Sequence, residues 1–105
     1  MKDYVRIDIR SDLDQAGWRE LLKAALPDFA WRGGDSDAQG PYLTGRRPDG
    51  VHIQCWMGEA PAAMAVSFRG AKLSQAAMSS LITTLEQRIL PQAGEVLRVD
   101  AGERP

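Results

Sequence analysis

His52, Gln54 and Trp56 occupy alternate positions of one short run, so an extended backbone turns an imidazole, an amide and an indole to the same side. His52 is the only histidine, hence the one side chain whose ordinary pKa lies near neutrality. With an acid such as Asp8 on a neighbouring strand to hold its second nitrogen, it would act as a general base at the edge of an aromatic pocket. Without that acid it is a surface histidine beside a turn. A lone imidazole gives no histidine pair for a metal. Cys55 is likewise alone, which excludes an intrachain disulfide or thiolate cluster. Alternation turns Cys55 away from His52, so a buried, unreactive thiol is expected instead of a Cys-His nucleophile.

Other patterns fail on inspection. Asp35, Asp37, Gln39 and Gly40 imitate the opening of a calcium loop, but the twelfth position, where a bidentate Glu should close the shell, is Arg46. Gly33 and Gly34 lack the Lys-Ser or Lys-Thr that completes a phosphate loop, and no Gly-x-Ser-x-Gly elbow occurs. No metal site and no cofactor are expected.

The elements that position these residues follow from periodicity. Residues 4–10 alternate, with Val5, Ile7 and Ile9 on one side, and read as a half-buried strand. Ser11 and Asp14 resemble a capping box before a helix that carries Leu13, Trp18, Leu21, Leu22 and Ala25 and ends at Pro27. Residues 29–32 suit a short strand, and the Gly- and Asp-rich stretch 33–41 suits a long loop, with Trp31 at its entrance and Tyr42 at its exit. Residues 42–46, 51–57 and 62–69 form a three-strand meander divided by turn formers such as Pro48-Asp49-Gly50. Ser74 caps a second helix striped by Met78, Leu81, Ile82, Leu85 and Ile89, which Pro91 stops, and residues 95–100 close as a strand. Residues 101–105 read as a flexible tail. This order predicts one α+β domain, a two-layer sandwich with a mainly antiparallel sheet of five to six strands and both helices on one face. It is similar to a ferredoxin-like arrangement with an added hairpin.

Alternation assigns the faces. Val5, Ile7, Ile9, Leu43, Val51, Ile53, Cys55, Met64, Val66, Phe68, Leu97 and Val99 should point inward. Tyr4, Arg6, Asp8, Arg10, Tyr42, Thr44, Arg46, His52, Gln54, Trp56, Ala63, Ala65, Ser67, Arg69 and Arg98 should occupy the helix-free face. An RNA-binding sheet needs stacking aromatics on its third strand, where this chain has Ala63 and Ala65. The 13 basic and 14 acidic residues nearly cancel, with 8 and 9 of them in the first fifty positions, so no basic arm steers the chain to nucleic acid or an anionic membrane. The start alternates charged and apolar residues where a secretory signal needs an apolar run, and residues 73–90 are too polar to span a bilayer, so a cytoplasmic protein is expected. Arginine outnumbers lysine by 10 to 3, a bias expected of a GC-rich bacterial genome.

The expected function is a small binding or protein-interaction module using the helix-free face and the 33–41 loop. Trp56, His52, Gln54, Tyr42, Arg46 and Trp31 are its binding residues, self-association through that face is its first partner, and a protein or small-molecule ligand is a further one. The alternative is a cofactor-free enzyme with His52 as base and Arg46 or Arg6 anchoring an anionic substrate.

Overall fold

The computed structural model describes residues 3–100; the tail expected at 101–105 lies outside them. The elements run β1 (Tyr4–Ser11), α1 (Gln15–Ala25), β2 (Ala30–Ser36), β3 (Gly40–Arg46), β4 (His52–Trp56), β5 (Ala62–Ser67), α2 (Gln75–Thr84) and β6 (Gly94–Asp100). They build an α+β fold around an open six-stranded sheet of order β2-β3-β4-β5-β1-β6, antiparallel throughout.

The register sorts side chains into two faces. Leu43, Cys55, Met64 and Ile7 are successive cross-strand partners, as are Ile53, Val66 and Val5 one row away. These side chains are almost wholly buried and cluster with Trp18 and Leu22 of α1 and with Ile82, Leu85, Ile89 and Leu90. Theirs is the core face. Most of the stabilising apolar burial lies here, since each fully buried Leu, Ile or Val contributes roughly 1.5–3 kcal/mol over its exposed state.

Helix boundaries depend on which side chain reaches the free amides. Asp14, not Ser11, caps α1: its Oδ1 accepts from Gly17 N at 2.8 Å, while the Ser11 hydroxyl accepts from Leu13 N one turn earlier. The expected Ser11 and Asp14 box is thereby corrected to a simple Asp cap. Ser74 caps α2 through Ala77 N at 3.1 Å. Beyond Thr84 the chain widens into a π-helical turn, Leu85–Ile89, then tightens into a 3₁₀ turn, Leu90–Gln92, containing Pro91. Pro91 has no amide hydrogen to continue an α ladder, and the altered turns still bury Leu85, Ile89 and Leu90.

The stretch 33–41 is not a long loop. Residues 33–36 complete β2, residues 40–41 open β3, and only residues 37–39 turn between them. The Ser36 hydroxyl accepts from the amides of Ala38 and Gln39, and Gly40 takes φ 76°, a conformation suited to short hairpin connections. Cross-strand packing overrides the low strand propensity of Gly33 and Gly34. The Tyr42 ring fills the space above Gly34. The Gln15 amide lies over Gly33 and donates to Gly34 O and Tyr42 O, both at 2.9 Å.

The next turn, between β3 and β4, is tied by Arg47 and Asp49. Two guanidinium nitrogens contact the carboxylate at 2.8–3.1 Å, and this hydrogen bonding holds the Asp49 carboxyl below its ordinary value. At the sheet's far edge, Asp8 opposes Arg98 and Ile9 opposes Val96, leaving Leu97 as the extra residue of a bulge. Leu97 and Val99, expected inward, are 41% and 36% exposed because β6 is an edge strand and the bulge displaces Leu97 from the alternation.

Candidate functional site

Along residues 51–56 the alternation places Val51, Ile53 and Cys55 in the core, and His52, Gln54 and Trp56 on the opposite face of β4. The β3 neighbours on that face are fixed by pairing: Tyr42 opposes Trp56, Thr44 opposes Gln54, and Arg46 opposes His52. Five of the six residues singled out from sequence, Trp56, His52, Gln54, Tyr42 and Arg46, therefore form one two-strand patch.

Trp31 is separated from them. It pairs with Gly45 in the core-face row of Ile53 and Val66, its ring covers Gly45, and it stacks on Phe29 with centroids 5.5 Å apart. Its indole N–H donates to Leu26 O at 3.2 Å, so Trp31 secures the hairpin to the end of α1. Strand parity gives its place on the patch to Arg32, which opposes Thr44.

Beyond Gln54 the patch meets Ala65, and beyond Trp56 it meets Ala63. Both alanines are buried, at 8% and 6% exposure, although they face away from the helical core. The strip of small residues is thus closed over by its neighbours and offers no open shelf. Trp56, Ala63 and Arg6 instead wall a cavity of about 110 Å³, completed by Gln39 of the hairpin turn and by Glu59 and Pro61 of the β4–β5 connection. Glu59 carried no signal in the sequence and Gln39 only that of the failed calcium loop, because turns are polar whatever they do.

The electrostatics of His52 are those of a half-buried ring. Burial, followed by the positive charge of Arg46, holds its imidazole below the ordinary pKa, so the neutral form dominates at pH 7. Its Nε2 is buried with no hydrogen-bond partner among the described residues, and the same is true of Trp56 Nε1. Asp8 does not reach it. Asp8 stands in the row of Trp56 with β5 between, and accepts from Arg6 Nε at 3.2 Å. Among the described residues, no acid therefore reaches the imidazole to orient it for catalysis. Cys55 lies wholly in the core, where burial pushes its thiol up to about 12.

Among the described residues no three His, Cys, Asp or Glu side chains gather as a metal site, and no helix is long and apolar enough to cross a membrane. Compared with known proteins, the chain matches no family model, and no curated protein is significantly similar to it.

Proposed function

We propose that this chain is a small binding module whose ligand or partner engages the sheet face made by Tyr42, Arg46, His52, Gln54 and Trp56, together with the β2–β3 hairpin. The observation that carries this reading is the register, which makes two aromatics, a guanidinium, an imidazole and an amide immediate neighbours on two strands. Trp, Tyr and Arg are the side chains that contribute most to recognition surfaces. The reading includes a two-layer arrangement with both helices on the core face, a ferredoxin-like element order with an added hairpin, and a cytoplasmic setting.

Its first partner is a second copy of the chain, the two patches meeting about a two-fold axis. Light scattering over a concentration series tests this. The 11.5 kDa chain is expected at twice its mass, and Trp56→Glu or Arg46→Glu is expected to return a folded monomer, with circular dichroism unchanged. A wild-type monomer at every concentration, or folded variants that stay dimeric, would overturn self-association through this face. The binding reading is preferred to an enzyme using His52 as base because no acid among the described residues orients the imidazole, while the exposed Arg46 and half-buried aromatics suit recognition without chemistry.

A further inference from the structure

Four of the arginines in the described residues are neutralised within the fold: Arg6 by Asp8, Arg10 by Glu95, Arg47 by Asp49 and Arg98 by Asp100. The side chains of Arg32 and Arg46 form no ion pair or hydrogen bond with any described residue, yet they share one small area. Arg32 opposes Thr44 across the β2–β3 ladder, and Arg46 lies two residues further along the same face of β3. Their Cα atoms are thus diagonal neighbours, a relation that spans about 7–8 Å and lets two long side chains reach one point. The two residues, with Tyr42 and Thr44, line a depression of about 250 Å³.

The charge is uncompensated over a wide area. By register, this face of β2, β3 and β4 carries Ala30, Arg32, Gly34 and Ser36, then Tyr42, Thr44 and Arg46, then His52, Gln54 and Trp56, and no carboxylate. Asp8 of β1, on this face beyond β5, is occupied by Arg6, and Glu59 of the β4–β5 connection lies at the Trp56 end of the face, in the cavity that Arg6 also lines. Two guanidinium groups this close repel each other when the depression holds no anion, and a doubly charged anion would relieve that repulsion. Guanidinium forks match tetrahedral oxyanions through paired N–H donors, and the hydroxyls of Tyr42 and Thr44 add neutral donors at the same depression.

We propose that Arg32 and Arg46, with Tyr42 and Thr44, form a subsite for a dianionic phosphate group carried by a small molecule. The proposal rests on the reading of this face as a binding surface and names the chemistry it selects. His52 opposes Arg46 and serves as a built-in reporter, since an anion beside Arg46 alters the field at the imidazole.

The test uses the full chain, labelled with ¹⁵N, and inorganic phosphate added at constant ionic strength with chloride as the balancing salt. Saturable shifts are expected at the Arg32 and Arg46 Nε–H signals and at the His52 ring protons, with Arg10 and Arg98 unmoved. Arg32→Gln and Arg46→Gln, both at exposed positions, are each expected to weaken binding about tenfold or more, the loss of one charge-assisted contact. Shifts that never saturate, that affect every arginine alike, or that survive both substitutions would overturn the subsite. Failure here is distinguishable from failure of the binding face. A phosphate-silent chain whose dimer is broken by Trp56→Glu loses only the subsite, whereas a phosphate-binding monomer loses only the self-contact.

Discussion

The phenol ring of Tyr42 lies over Gly34, its direct partner across the β2–β3 ladder, in the space a Cβ would fill. Trp31 does the same to Gly45 on the other face, so the hairpin is locked by two aromatic lids facing in opposite directions. Gly34→Ala and Gly45→Ala are each expected to destabilise the fold by about 1–3 kcal/mol, the usual cost of overpacking. Urea unfolding checks both. A gain in stability, as unfolded-state entropy alone would give, would show that the rings can leave without loss.

His52 gives the chain a pH dependence whose sign is fixed. Its folded pKa is lowered from 6.5, first by burial and then by Arg46, so the unfolded chain takes up the proton first as pH falls. The stability associated with the neutral ring is complete above 6.5 and is lost as pH drops from there through the lowered folded value. Replacing His52 by Gln should flatten the urea midpoint across that window. Parallel midpoint curves for the two proteins would contradict the assignment.

Cys55 should be chemically silent in the folded chain. With its thiol pushed up to about 12 and no exposed surface, a thiol reagent at pH 8 is expected to label it only at the rate of unfolding. Cys55→Ser should cost about 1–3 kcal/mol, because the hydroxyl replaces the thiol in apolar surroundings without a partner. Immediate labelling of the folded protein would refute the burial.

Gly94 tolerates no side chain. A Cβ there would overlap the main-chain carbonyl of Arg10, and backbone cannot swing aside as the rings over Gly34 and Gly45 can. Gly94→Ala should therefore cost at least as much as either hairpin substitution, about 3 kcal/mol at the upper end of overpacking. Amide exchange in β1 and β6 should accelerate with it, while β2 and β3 stay protected.

What the sequence revealed was whatever rests on local periodicity. The alternation of β1 and β4, the apolar stripe entering α2 and the Ser74 cap are all readable within a few residues, and so is the patch on β4. The hairpin was hidden because Gly33, Gly34, Asp35 and Ser36 are turn formers taken singly. They become strand only through Tyr42 and Gln15, which lie far enough away to be invisible to a local pattern. Reading that stretch as a loop also lost the parity that sends Trp31 to the core face and brings Arg32 to the patch. Leu97 escaped for a related reason, since one bulged residue breaks the alternation without leaving a mark in composition.

The pairing of β1 also governs the order of assembly. Its partners are β5 and β6 alone, the nearer of them about sixty residues along the chain, whereas β2, β3, β4 and β5 follow one another as adjacent hairpins. Hairpins of that kind form in microseconds, but closing so long a segment costs entropy before any contact rewards it. The β2–β5 meander, which carries Arg32 and Arg46, is therefore expected to assemble ahead of the strand that completes the centre of the sheet. Docking of Val5, Ile7 and Ile9 is then expected to limit the folding rate, the slow end of a topology rich in distant contacts.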